Sequence, residues 1–287
     1  MAAQRAGLPR RKGSPVDHVT SQDGTTIACR SVGEGPPAVV VNGALSEHSS
    51  ALPLAHALAD DLRVTTYDRR SRGHSGDLSP GVAGAVEREL TDLAAVLEAV
   101  RDDTADGSDG ERGVTVIGSS SGGLLALAAA ATGLPVARVV VFEPPLATPD
   151  FPLAAPPDLP ERLHALVGED RRGDAVALFL TAAVGLPAEA VAQMRQLPDW
   201  PAREALAAST VYDSALSRRY PDVSAFGSVD VPVLALHGEA TWPMLRASAA
   251  AVGQAFPRGR SREVAGGDHQ LEPDAVAAAV REHLAAR

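Results

Sequence analysis

Gly113-Val114-Thr115-Val116-Ile117-Gly118-Ser119-Ser120-Ser121-Gly122-Gly123-Leu124-Leu125-Ala126-Leu127 decides how the rest of the chain is read. After Gly113 its next four residues are β-branched and mostly apolar, the composition of a strand buried on both faces. After Gly122 the run Gly123 to Ala131 is rich in strong helix formers. Between them, Gly118-Ser119-Ser120-Ser121-Gly122 fits G-x-S-x-G. A sharp strand-to-helix turn brings backbone against backbone, so Gly118 and Gly122 leave room while the Ser120 side chain is pushed outward. Two blander readings compete: a small-residue loop that only reverses the chain, and a phosphate cradle at a helix N-terminus. The cradle lacks support, because neither G-x-x-x-x-G-K-[ST] nor G-x-G-x-x-G occurs.

The 287 residues suit one large domain or a core with an insertion. A net charge of -10 argues against a nucleic-acid or anionic-membrane partner, and no apolar run approaches the roughly 20 residues that span a bilayer. Residues 1–14 carry Arg5, Arg10, Arg11 and Lys12 without an apolar stretch, so a disordered tail is expected rather than a secretory signal. Cys29 is the single cysteine, which excludes an intramolecular disulfide and a cysteine metal cluster; it reads as a small buried hydrophobe. A cytoplasmic protein, monomeric or homodimeric, acting on a small molecule, is the expectation.

From the N-terminus, Val16–Ser21 and Thr25–Arg30 read as strands around Asp23-Gly24. Pro37–Val41 and Arg63–Tyr67 are further short strands, separated by helical character over 52–62. Asp68–Gly76 reads as a polar loop. Leu90, Leu93, Leu97 and Val100 give helical spacing over 87–101, and Val136–Phe142 is another buried strand, ending at Glu143-Pro144-Pro145. From Leu146 to about Asp230 the β-branched runs stop and amphipathic pieces take over, at 162–167, 175–183, 188–197 and 203–216. About 80 residues is too long for a plain connection, so an all-helical insertion is expected. The strand-helix rhythm then resumes with Val231–Gly238, Met244–Phe256, Ser261–Val264 and Ala275–Leu284. The order implies a mostly parallel sheet with helices on both faces.

A serine hydroxyl needs a base to become a nucleophile. His269 lies in Gly266-Gly267-Asp268-His269, between the last strand and the last helix, where a glycine-rich loop lets an imidazole reach another strand's end. His18, His48, His56, His164 and His283 have no such setting and read as surface residues. No ligand spacing such as H-E-x-x-H occurs, so neither a catalytic metal nor a cofactor is expected.

Taken together, these pieces resemble the α/β-hydrolase fold with a helical cap, from Val16 to Leu284. Val39–Gly43 is similar to the strand and turn of that family's oxyanion region. Tyr67–Ser75 resembles the turn after its next strand, Gly118–Gly122 its nucleophile elbow, and Pro232–Gly238 with Gly267–His269 its later strand-end and histidine loops. The resemblance implies a core of residues 15–145 and 231–287 with a cap over 146–230. It also implies Ser120 as nucleophile, His269 as base, and the N–H groups of Ser121 and Ala44 as oxyanion donors. It makes Gly73-His74-Ser75-Gly76 a structural turn, since no strand-to-helix step surrounds that serine.

The orienting acid departs from the family's commonest pattern. Where most relatives have an aspartate, Gly238-Glu239-Ala240-Thr241 offers Thr241, which cannot hold charge against an imidazolium. The fold's second acid position follows the strand after the elbow helix, and Glu143 occupies it. Bacterial relatives with an aromatic-Glu-Pro-Pro run share this feature. Glu239 ranks second, absence of any acid third, and Asp268 is disfavoured as a neighbour of the base. The implied activity is hydrolysis of a carboxylic ester, lactone or thioester of a small, largely apolar metabolite through an acyl-enzyme. Cofactor-free non-hydrolytic chemistry and a catalytically silent ligand-binding relative stand as alternatives. Leu178, Phe179, Met194, Trp200 and Tyr212 could face substrate or simply bury the insertion's apolar side.

Overall fold

Alternation within the short apolar runs builds one sheet with two buried faces. A computed structural model describes residues 17–102, 113–152, 155–227 and 229–286; the expected tail, residues 1–14, lies outside them. The strands are β1 (Asp17–Thr20), β2 (Thr26–Val32), β3 (Pro37–Val41), β4 (Arg63–Tyr67), β5 (Val114–Ser119), β6 (Val136–Phe142), β7 (Val233–Ala240) and β8 (Gly259–Gly267). They form a single sheet in the order β1-β2-β4-β3-β5-β6-β7-β8. The β1–β2 and β2–β4 pairs are antiparallel, and the other five are parallel. This is the mostly parallel, helix-flanked sheet that the sequence implies.

Successive residues of a strand face opposite sides. Val39 and Val41 of β3, with Val116, Val139 and Val141, pack against Leu93 and Leu97 of α2 (Ala85–Asp102) and Leu124 and Leu125 of α3 (Ser121–Ala131). Ala38 and Val40, with Ile117, Val140 and Phe142, pack against Leu54 and Leu58 of α1 (Leu52–Leu58) and Val276 and Val280 of α10 (Pro273–Ala285). Between β7 and β8, α9 (Pro243–Ala255) adds Ala249 and Val252 to the first layer.

Between β6 and β7 stand α4 (Leu159–Gly168), α5 (Arg172–Ala182), α6 (Ala188–Met194), α7 (Trp200–Ala205) and α8 (Ser209–Arg219). They enclose a core of their own around Leu163, Val176, Phe179, Trp200 and Val211. Helix α8 also reaches the sheet layers: Tyr212, Ala215 and Leu216 join the first core and the helix packs on α2 and α3. The single helix expected over 203–216 is two, because Ser209 Oγ donates to Leu206 O (2.7 Å) and Thr210 Oγ1 to Ala207 O (2.7 Å). Such side-chain bonds stand in for the helix ladder at the break. Strand β8 is longer than the expected Ser261–Val264. At the sheet edge its residues are mostly exposed, so pairing with β7, not an apolar run, sets its ends.

Two histidines expected at the surface are buried. His48 donates its backbone N–H to Asp68 Oδ1 (2.6 Å), and its Nδ1 lies 3.0 Å from the same oxygen. His283 is buried on α10, where burial and then Arg138, Arg260 and Arg258 push its pKa down to about 4. A helix pattern marks which positions turn inward only when the residue is apolar, so an inward histidine passes unseen. With the folded value below the ordinary 6.5, neutral His283 adds stability above pH 6.5 that is lost as pH falls toward 4. The amount is on the order of 3 kcal/mol. His283→Gln should therefore flatten the fall in Tm between pH 7 and pH 4.5; parallel curves for the two proteins would refute this.

Candidate active site

The turn from β5 into α3 is as tight as the small residues of Gly118–Gly122 suggest. A Cβ on Gly118 would lie 2.4 Å from Gly122 O, and one on Gly122 would lie 2.2 Å from Val41 O. Ser120 between them has φ 53° and ψ -124°, a backbone that an L residue seldom adopts. Its N–H donates to Phe142 O (2.9 Å), and Gly123 N–H donates back to Ser120 O (2.8 Å). The strained serine is thus pinned to β6 on one side and to the first turn of α3 on the other. Seven non-glycine residues have positive φ among the described residues; Ser120, Glu143 (49°) and His269 (59°) are three of them. Strain of this kind persists only where surrounding structure over-determines it, and it gathers at functional sites.

Glu143, directly after β6, is fully buried. Its N–H donates to Leu236 O (2.9 Å), its Oε1 accepts from Gly238 N–H (2.9 Å), and its Oε2 lies 2.5 Å from His269 Nδ1. Burial alone would raise the Glu143 carboxyl. The bond from His269, the neighbouring Thr241 hydroxyl and the Gly238 N–H outweigh it and hold the group below its usual range. An ionised carboxylate facing Nδ1 calls for the Nδ1–H tautomer and leaves Nε2 as the basic nitrogen. Thr241 Oγ1 is buried without a hydrogen bond of normal geometry, so its part is to crowd Glu143 with a dipole rather than to replace it. The Trp242 ring lies over His269, centroids 5.9 Å apart and planes at 25°.

The other acids lie elsewhere. Glu239 is exposed, and its backbone O accepts from Arg246 Nη2 (2.6 Å). Asp268 is exposed beside His269. Ser75 Oγ accepts from Ala28 N–H (2.9 Å) and donates to Asp68 O (2.5 Å), which are the bonds of a turn.

A cavity of about 840 Å³ opens over these strand ends, lined by Ser120, His269, Ala44, Trp242, Phe179 and Met194 among others. Its size is that of small-molecule sites in general. Of the insertion residues singled out from sequence, Phe179 and Met194 reach it. Trp200 and Tyr212 are buried away from it, with Trp200 Nε1 donating to Glu204 Oε1 (2.7 Å) and Tyr212 Oη to Asp77 Oδ2 (2.6 Å). Leu178 packs against the helical core.

Within the segment read as a polar loop, Gly73, His74 and Gly76 are exposed, but its arginines are among the most buried side chains of the molecule. Arg69, Arg70 and Arg72 are all essentially inaccessible. Arg70 pairs with Asp92 and Asp23, and Arg69 pairs with Glu89 and Asp213. Arg72 Nη2 reaches Asp213 Oδ1 (2.9 Å) and Oδ2 (3.0 Å), and its Nη1 donates to Gly43 O (2.5 Å). Asp213 comes from α8 and also accepts from Ser121 Oγ (2.7 Å). Burial works against its charge, but Arg72 and Arg69 outweigh it and keep its pKa low. Sequence reasoning missed this group because most of its partners lie 20 to 144 residues apart, Asp77 on Arg70 (3.4 Å) being the near one. The available signal was three arginines within four residues and no acid beside them except Asp68.

The model of the Alpha/beta hydrolase family matches residues 38–279. An alpha/beta hydrolase from Sphaerobacter thermophilus is 42% identical, covering 93% of this chain and 100% of its own, with a TM-score of 0.80. A thermophilic esterase from Thermogutta terrifontis (20% identity, TM-score 0.65, 95% and 98% covered) and an enol-lactonase from Burkholderia xenovorans (22%, 0.63, 94% and 100%) share the fold. With the elbow turn, the sheet order and a family match spanning most of its length, the chain belongs to the alpha/beta hydrolase family.

Proposed function

We propose that this protein is a serine hydrolase that cleaves a carboxylic ester, lactone or thioester of a small, largely apolar metabolite through an acyl-enzyme. The observation that carries the reading is the bond between buried Glu143 and His269 at the wall of the cavity that Ser120 enters from a strained turn. In the first step His269 Nε2 takes the Ser120 proton as Oγ attacks the acyl carbonyl, and Glu143 steadies the imidazolium. The carbonyl oxygen becomes an oxyanion facing the Ser121 and Ala44 N–H groups. Ser121 is the first residue of α3, so its N–H has no partner within the helix and sits at the positive end of the dipole. Protonation by His269 releases the alcohol, thiol or ring oxygen. Water activated by the same base then frees the acid and restores Ser120. Cavity walls from the insertion, Phe179 and Met194 among them, give the acyl or leaving group an apolar seat.

A panel of p-nitrophenyl esters, lactones and acyl thioesters tests this reading. The wild-type protein should turn over at least one class, and Ser120→Ala should retain less than about 1/10³ of that rate. Equal rates in the two proteins, or no turnover of any class, would refute it.

A further inference from the structure

The orientation of one peptide unit carries a consequence for the oxyanion site. The Gly43 C=O and the Ala44 N–H belong to the same planar amide, and no cis peptide occurs among the described residues. In a trans amide the two groups point in opposite directions. Whatever holds the Gly43 oxygen therefore aims the Ala44 hydrogen. That holder is Arg72, whose Nη1 donates to Gly43 O from a fully buried position. Gly43 itself packs against the elbow: a Cβ built on it would lie 3.0 Å from Ser120 Cβ and 3.7 Å from Ser120 Oγ. Arg69 grips the preceding carbonyl in the same way, Nη1 to Asn42 O at 3.0 Å. Asp213 ties the two sides together. It accepts from Arg72 and Arg69 beneath the Gly43 loop and from the Ser121 hydroxyl on the elbow.

We infer that Arg72 and Asp213 are positioning residues of the oxyanion site: Arg72 orients the Ala44 N–H through the Gly43 carbonyl, and Asp213 locks Arg72 and Ser121 in one frame. The inference rests on the serine-hydrolase reading and adds to it a requirement from outside the Ser120–His269–Glu143 set. A cationic donor on a carbonyl also polarises the amide, which strengthens the N–H at its other end. Because Asp213 is supplied by α8, the insertion takes part in the chemistry's geometry as well as in the cavity wall.

Arg72→Lys tests it. Lysine keeps a positive charge for Asp213 but lacks the fork needed to hold the Gly43 oxygen at the same time. Turnover of the best ester and the Ki of a matching trifluoromethyl ketone, whose Ser120 adduct places an oxyanion in the same site, are measured on folded protein. The expected result is a kcat lower by about 10²-fold, the effect of losing one oxyanion donor, with KM within about twofold. The Ki should rise by the same factor as kcat falls. A merely structural role would lower Tm and leave the ratio of ketone to substrate affinity unmoved. Ser121→Ala, which removes one hydroxyl and no charge, is the second variant, with about a 10-fold loss in kcat and a matching rise in Ki. Unchanged kcat and Ki in either folded variant, with wild type active, overturns the positioning role alone. A wild-type protein without turnover overturns both this inference and the reading beneath it.

Discussion

Glu143→Gln should lower kcat about 10⁴-fold, the scale of loss when the orienting acid of such a triad becomes an amide. The physical reason lies in the partners of the carboxylate. Gly238 N–H donates to Oε1, so a glutamine at this position places its carbonyl there and turns its NH₂ toward His269. An NH₂ group can only donate, which fixes the imidazole with the hydrogen on Nε2, the wrong tautomer for taking a proton from Ser120. The fold should survive, because the side chain keeps its volume and its bond from Gly238, and its contact with His269 is reversed in direction, not lost. Glu239→Gln, at an exposed position whose side chain pairs with none of the described residues, should behave as wild type. Activity retained in Glu143→Gln and lost in Glu239→Gln would reverse the assignment.

Asp213→Ala should cost about 3–5 kcal/mol of stability, the penalty for breaking a buried ion network by removing one partner. Asp213 is the only acid paired with Arg72 among the described residues, and it shares Arg69 with Glu89. Without it the Arg72 guanidinium is left charged and dry, and its Nε already has no partner among the described residues. For a chain of this size the loss corresponds to roughly 6–20 °C in Tm. Asp174, exposed on α5 and paired with Arg171 and Arg195, is the control: Asp174→Ala should barely move Tm, since solvent screens such pairs. Equal shifts for the two variants would show that burial of the Asp213 network adds nothing.

The legible parts of the molecule are those where chemistry and periodicity are local. Val114–Ile117, the glycines around Ser120 and the helix formers after them contain the whole reason for the elbow within fifteen residues. The same holds for Val136–Phe142, which runs into Glu143 with no gap, and for the strands whose apolar runs lie in the middle of the sheet. What was not legible depends on distant partners. Arg69, Arg70 and Arg72 look solvated in isolation, and their burial depends on Glu89, Asp92 and Asp213 converging from α2 and α8, with Asp23 added on Arg70. Edge strand β8 lacks an apolar face and takes its length from β7. His48 and His283 turn inward for reasons that no window around them contains: an acid twenty residues on in one case, a packed helix face in the other.

Thr241 shows how the two kinds of information meet. Its place after β7 marks it as the missing aspartate, and the structure puts its hydroxyl beside the carboxylate that arrives instead from β6. Two strand ends thus converge on His269 Nδ1, with Gly238 from one of them bonded to Glu143 from the other.

The most direct measurement is the mass of the intact protein after treatment with a fluorophosphonate, followed by peptide mapping of the adduct. The Ser120–His269–Glu143 account predicts one adduct per chain, located on Ser120, absent in Ser120→Ala and formed orders of magnitude more slowly in Glu143→Gln. No adduct on folded protein, or an adduct carried by Ser121 or Ser75 instead, would contradict it.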